Sequence, residues 1–273
     1  TVEELKIKIG SAYQKRAKIK DQKSKIDDGD VEIAVEKGEK MAAKKKRIDS
    51  WAPWLALSSI IVLWQFICTA FDISDFIFPA PWAIAQSLVQ YWGPIQGHAV
   101  KTFWTTMAGF SIGIAVGLLL GFLVGSSRFM YRALYPLMVG FNAIPKAAFV
   151  PILVVWFGIG TLPAILTAFL ICFFPIVVNV ATGLATLEPE LEDVLRALGA
   201  NRLDVLLKVG LPRSLPYFFA SLKVSITLAF VGAVLSETVA SNECIGYLMM
   251  SAGSQMRMPL VFAGLIVISV MAM

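Results

Sequence analysis

After residue 50 the chain is a series of apolar stretches of about twenty residues, each closed by a polar or charged break. Twenty residues at helical rise cover about 30 Å, the thickness of a bilayer's hydrocarbon core. The pattern predicts six helical spans: Trp51–Phe71, Thr102–Gly125, Ala133–Phe157, Leu162–Leu187, Leu215–Ala240, and a sixth starting near Pro259 and reaching Met273. Fifteen residues in the sixth cover only about 22 Å, so the natural C-terminal end is expected to lie beyond Met273. The second span carries glycines at 109, 113, 117, 121 and 125. Four-residue spacing puts them on one face, where small residues allow close helix packing. Pro145, Pro151, Pro163 and Pro175 predict kinks in the third and fourth spans.

Residues 1–50 differ in kind. Within 1–47 lie 14 of the 24 Lys and Arg and 9 of the 19 Asp and Glu, while the remainder of the chain is neutral. The basic balance therefore describes a tail, not a nucleic-acid-binding face. Val2, Leu5, Ile9 and Tyr13 recur at helical spacing, and the DDGD at 27–30 interrupts it. Two readings stand: a solvated tail, or a segment that meets anionic lipid or a partner through KKKR at 44–47. The chain thus divides into a charged tail, 1–50, and a membrane domain, 51–273.

Basic residues in the short connections set orientation. KKKR, the pair Arg128 and Arg132, and the group Arg196, Arg202, Lys208 and Arg213 fall on one side of an alternating six-span topology. That side is expected to be the cytoplasm, with the N-terminus on it. The other side carries Asp72, Asp75, His98, Lys101, Glu243 and Arg257, with no basic excess and with His98 as a loop residue. Trp51, Trp54, Trp82, Trp92, Trp104 and Trp156 fall near span ends, as an interfacial aromatic belt does.

One connection is unlike the others. ELEDVLRALGANRLDVLLKVGLPRSLP, Glu190 to Pro216, is charged, regular and long for a loop between spans. Leu191, Val194, Leu195 and Leu198 form one helical stripe, and Glu192 with Arg196 is an acid-first i,i+4 pair. Gly199 is placed to end that helix and Asn201 to cap a second, Arg202–Val209. Gly210, Pro212 and Pro216 predict a break before the fifth span. The product is a helix–glycine–helix elbow. Without a partner it would be an interfacial hairpin lying on the bilayer.

Asp193, Gly199-Ala200, Leu211-Pro212 and Pro216 resemble, in order and spacing, the EAA loop of ABC-importer permeases. Asp193 stands for the family's Glu, and Val194-Leu195 for its Ala-Ala. IPKAAFVPILVVWFGIG (144–160), LSETVAS (235–241) and GYLMMSAGSQ (246–255) look like signatures of the nitrate, taurine and sulfonate branch of those permeases. The resemblance covers about 55–273. It implies an all-α membrane protein with the six-span type I ABC importer domain and a cytoplasmic EAA coupling loop at about 188–214. In that loop Glu192, Asp193, Arg196, Ala197, Gly199, Ala200, Leu211 and Pro212 would meet the ATPase. The implied partners are two cytosolic ATP-binding subunits, a periplasmic or lipid-anchored solute-binding protein, a second permease copy and membrane lipid. ATP and Mg would sit on the partner subunits, and this chain would bind no cofactor.

The residues agree on the absence of catalysis. No G-x-x-x-x-G-K-[ST] occurs, and no Ser/His/Asp or Cys/His set. Cys68, Cys172 and Cys244 are isolated and there is one histidine, so neither a metal site nor a disulfide framework is expected. Charges inside spans are the candidates for function. Lys146 and Glu237 are expected either to pair or to line one pathway, with Asn142 and Ser236 beside them and Asn179 and Thr182 as lesser candidates. The bland alternatives are a Lys146 that snorkels to water and a Glu237 that serves packing. A cationic Lys146 suits a small anion. The competing function class is a secondary transporter or channel without an ATPase, for which inverted repeats and interrupted spans are the expected marks.

Overall fold

The computed structural model describes residues 52–186, 194–195 and 197–273, and for Arg202 and Leu203 the backbone alone. The charged tail, Trp51, and Glu190, Leu191, Glu192, Asp193 and Arg196 of the elbow lie outside the described residues. The chain divides into two units, Thr1–Trp64 and Gln65–Met273. Of the first, the described part is helical and belongs to α1, Ala52–Ala70, whose apolar side chains from Trp54 to Phe66 are largely exposed. A helix apolar on all sides with its side chains uncovered is a lipid-facing helix.

The regular elements among the described residues of the second unit are all helical. It contains α2 (Pro81–Gln90), α3 (Trp92–Gly125), α4 (Arg128–Ala143), a 3-10 turn at Lys146–Ala148, α5 (Phe149–Phe157) and α6 (Thr161–Ala185). After the elbow come α7 (Arg202–Val205), a π turn at Leu206–Gly210, α8 (Leu211–Ala240), α9 (Ile245–Ser254) and α10 (Met258–Ala272). Four helices among the described residues are long and apolar enough to cross a membrane, and a fifth crossing is made if the bent pair Arg128–Ala143 and Lys146–Phe157 counts as one span. The sixth predicted stretch is the shorter α10.

The core is the contact of α6 with α3 on one side and α8 on the other. The glycines of α3 at 109, 113, 117, 121 and 125 are all buried and each faces α6. A Cβ on Gly109 would strike Ala168, one on Gly113 Cys172, on Gly117 Ile176, on Gly121 Val180, and on Gly125 Leu184. The partner lies 59 positions later in every case, so α3 and α6 run parallel with their four-residue rows in register. The other face of α6 meets α8 in the opposite sense. Gly183 approaches Ser214 and Gly232 approaches Thr167 and Ala168. Ala168, Cys172, Ala229 and Ala233 form one buried cluster, and Ile176, Val180 and Leu184 a second. Parallel α3 and α6 with antiparallel α8 is the alternation expected from the basic loops. The α3 end with Arg128 and Arg132 beyond it shares one end of the bundle with the elbow, and Lys101 with Glu243 marks the other.

The third predicted span is not one kinked helix. α4 and the segment Lys146–Phe157 meet at 64°. Proline at 145 holds Ile144 extended, at φ −68° and ψ 127°, and the helix stops there. Pro163 causes no kink, because it sits in the first turn of α6, where its missing N–H has no intrahelical partner to lose. Gly158, at φ +79°, makes the turn after α5. Gly160 then donates its N–H to the Ala240 carbonyl at the end of α8.

The expected break before the fifth span is also absent. Gly210 and Leu211 are helical, and the Leu211 N–H reaches back five residues to the Leu206 carbonyl. A proline ring inside a helix collides with the carbonyl four residues earlier. The wider π turn absorbs the arrival of Pro212, and the second arm of the elbow continues into α8 without interruption.

If the glycine row sets the α3–α6 distance, Gly117→Val should lower stability by about 1–3 kcal/mol through overpacking. Gly140→Ala, where an added methyl group meets nothing within 4 Å, should be neutral or stabilising by up to about 1 kcal/mol. Thermal unfolding of the purified protein in detergent compares the two, and equal shifts would count against the packing role.

Candidate functional site

The turn and the cap of the elbow are built as its residues predicted. Gly199 has φ +87°, the left-handed conformation that ends a helix, and the Ala200 N–H bonds back to the Leu195 carbonyl. Asn201 caps the second arm: the Asp204 N–H donates to Asn201 Oδ1 at 2.8 Å, and the Asn201 N–H returns to Asp204 Oδ2 at 3.4 Å. Asp204 also receives the Lys208 ammonium at 2.8 Å, one turn on. That hydrogen bond, with the backbone one at Asn201, holds the Asp204 carboxyl below the usual carboxylate range. The second arm is shorter as an α-helix than expected, four residues of α7 followed by the π turn.

Val194, Leu198 and Leu207 are exposed on the elbow, Leu198 at 79%. A crevice of about 300 Å³ between the arms is lined by Leu195, Leu198, Gly199, Ala200, Asp204 and neighbouring residues. Ala197, Leu211 and Pro212 are exposed and Ala200 is half-buried. Apolar side chains thus stand bare beside a capped, charged helix start.

Inside the spans, Lys146 and Glu237 do not pair. Lys146 sits at the break between α4 and α5. Its ammonium donates to the Asn142 carbonyl at 3.0 Å and to Asn142 Oδ1 at 2.7 Å, and lies 5.7 Å from the centre of the Phe174 ring. In an unbroken helix the Asn142 carbonyl would accept the amide N–H of residue 146. Here the side chain of that same residue takes the bond. Asn142 and Lys146 are thus brought together, as a cation held by neutral partners beside an aromatic face.

Glu237 and Ser236 are on α8, both fully buried. Glu237 Oε2 accepts from the Thr102 hydroxyl of α3 at 2.9 Å and from the Gly246 N–H of α9 at 3.2 Å. Asn179 donates to the Pro175 carbonyl in its own helix, and Thr182 shares a 3.2 Å hydrogen bond with the Tyr131 hydroxyl. The Thr182 bond joins α6 to α4, whereas the Asn179 bond stays within α6. His98 is not a loop residue. It lies in α3, half-buried near Tyr247, because α3 starts ten residues before the apolar run and continues at about 51 Å in length past the membrane thickness. Lys101, in the same extension, pairs with Glu243 beyond α8 and draws the Glu243 carboxyl below its usual range.

Thr102 and Gly246 escaped the reading of the sequence. A threonine at the start of an apolar run and a glycine after a turn carry no pattern of their own. The buried Glu237 was the only signal that partners had to exist near it.

The arrangement has known counterparts. The family described as the binding-protein-dependent transport system inner membrane component matches residues 113–273. A probable ABC transporter permease protein of Haemophilus influenzae is 33% identical over 79% of this chain and 88% of its own length. The riboflavin transport system permease protein RibX of Chloroflexus aurantiacus is 33% identical over 77% of this chain and 80% of its own. The taurine transport system permease protein TauC of Escherichia coli is 27% identical over 79% and 81%. In fold, a chain of the MetNI methionine ABC transporter in an inward-facing conformation superposes with a TM-score of 0.54 at 19% identity, over 67% of this chain and 92% of that one. With its apolar spans, its type I importer fold and a match over more than half its length, this chain belongs to the binding-protein-dependent transport system inner membrane components, the membrane permeases of ABC transporters.

Proposed function

We propose that the chain is the spanning subunit of an ATP-driven importer, in which two copies enclose a pathway and the stretch 190–216 docks on cytosolic ATPase subunits. ATP and Mg belong to those subunits, and a binding protein outside the membrane delivers the solute. The observation that supports this most is the joining of the elbow to α8. A capped arm with bare apolar side chains runs through one π turn into a span of 30 residues. A push on the elbow is carried along a rod. The bundle end that holds Arg128, Arg132 and the elbow is the basic one, which supports a cytoplasmic elbow and N-terminus.

The solute is a small anion in this reading. The Lys146 side chain stands beside neutral groups and an aromatic face at a break in a span, and ionisable groups inside spans mark solute paths. Taurine, aliphatic sulfonate and nitrate permeases are among the relatives. Co-expression with ATPase and binding-protein candidates, followed by vesicle uptake of nitrate, taurine and alkanesulfonates, tests the whole reading. Copurification of an ATPase with ATP-dependent, vanadate-sensitive uptake is expected. Uptake that persists without any ATPase would mark a secondary transporter or channel instead.

Two substitutions separate the parts. Gly199→Val forces a β-branched residue into a left-handed turn, a strain of about 1–3 kcal/mol. Uptake should fall by roughly tenfold while the spans still insert and ATP hydrolysis continues; fully coupled uptake in this variant would argue against the elbow as the coupling element. Lys146→Ala should weaken the apparent affinity for the anion by about tenfold or more, the scale of one charge-assisted contact. Unchanged transport kinetics in Lys146→Ala would remove the anion role.

A further inference from the structure

At the far end of α8 from the elbow, three helices meet on one carboxyl group. The first N–H groups of a helix have no partner within it. α9 begins after Cys244, which offers no side-chain cap. Its first two N–H groups are satisfied by other helices. Ile245 N–H donates to Thr102 Oγ1 of α3 at 2.9 Å, and Gly246 N–H donates to Glu237 Oε2 of α8 at 3.2 Å. The two acceptors are joined by the Thr102 hydroxyl, which donates to the same Glu237 oxygen at 2.9 Å. Thr102 and Ile245 are 0% exposed and Glu237 1%. Gly246 is required there, since a Cβ would stand 2.6 Å from Glu237 Cβ.

This node is only half used. Glu237 Oε1 is buried without a hydrogen-bond partner, and so are the Thr106 hydroxyl one turn along α3 and the Ser236 hydroxyl next to Glu237 in sequence. Buried polar groups in a single rigid state are nearly always paired, and leaving one unmade costs about 1–3 kcal/mol. A carboxyl whose one oxygen ties three helices, while its side chain has beyond them only the neighbouring Cys244 thiol, fits a junction with a second arrangement.

We propose that Glu237 is a positioning residue of the transport cycle: with Thr102 it clamps the start of α9 to α3 in this state, and the clamp parts when ATP turnover moves α8. The inference rests on the proposed function, because α8 is the rod that links the elbow to Glu237. Sliding or turning α8 against α3 breaks the Thr102–Glu237 bond and releases the first turn of α9, opening the end of the bundle marked by Lys101 and Glu243.

The protein carries its own reporter. Cys244 is the residue before α9, is 0% exposed, and precedes the clamp's Ile245. Cys68 and Cys172 are the remaining cysteines, and replacing both by Ala leaves Cys244 as the single thiol. The chain with its ATPase, in proteoliposomes, is treated with a membrane-impermeant maleimide at rest and after trapping with Mg-ATP and vanadate. Cys244 should label at least roughly tenfold faster in the trapped state, as a locally opened segment does. Thr102→Val should label fast at rest, whereas Thr102→Ser, which keeps the hydroxyl, should stay protected. Glu237→Gln keeps an acceptor oxygen and should stay protected, and Glu237→Leu should not. Equal labelling at rest and when trapped would overturn the proposal, as would a protected Thr102→Val. If no ATPase copurifies, the importer reading fails by itself. The resting comparison of Thr102→Val with Thr102→Ser then decides the clamp alone: equal protection overturns it, and loss of protection in Val only supports it.

Discussion

Everything in this bundle depends on how closely α3 approaches α6. In a bilayer the lipid tails are as apolar as leucine, so burying apolar side chains gives helices little reason to associate. What remains is dispersion between surfaces that fit. The glycines at four-residue intervals remove five side chains from one face of α3, and α6 fills the space with Ala168, Cys172, Ile176, Val180 and Leu184. The constant offset between the rows fixes both the direction and the register of the pair. α8 then packs on the other side of α6 through Gly232 and Gly183, and its two ends are set by that contact. The elbow lies at one end and Glu237 at the other, so a movement of α8 against so close a neighbour changes the whole interface between them.

Polar groups in the bundle are arranged around backbone that the helices themselves leave unsatisfied. Asn201 and Asp204 close the start of the elbow's second arm. Lys146 takes up the Asn142 carbonyl freed at the break between α4 and α5. Thr102 and Glu237 close the start of α9 from outside it. In a medium without water each such group has to find a protein partner. Polar side chains are therefore found at helix starts and breaks, the same places where a membrane helix bends or is joined to another. Structural need and the capacity to move coincide at these points.

Much of this was legible in local patterns. The glycine row, the left-handed Gly199, the Asn201 cap and the extent of the apolar helices all follow from residues within a turn or two of one another. The breaks were read less well. Pro145 was expected to kink a span and ends a helix, whereas Pro212 was expected to end one and does not. A proline states that one hydrogen bond is missing, and whether the chain bends, stops or widens into a π turn depends on what packs around it. Pairings between distant positions had no signal at all. Thr102 and Glu237 are 135 positions apart, and Lys101 and Glu243 are 142. Lys146 and Glu237 looked like a pair because they were the conspicuous charges of their spans. Each instead found neutral partners that the sequence does not mark. Glu192, Asp193 and Arg196 of the elbow lie outside the described residues.

The break at Pro145 has an electrical side. The ammonium of Lys146 is a positive charge carried on a bent apolar segment, tied to its own helix through Asn142 and leaning on Phe174. A charge moved across the full membrane field responds with about 2.3 kcal/mol for each 100 mV. If the angle between α4 and α5 changes, Lys146 shifts along that field by whatever fraction the bend allows. The conformational balance of the bundle then acquires a dependence on membrane voltage, set by one lysine and by the direction in which its helix straightens.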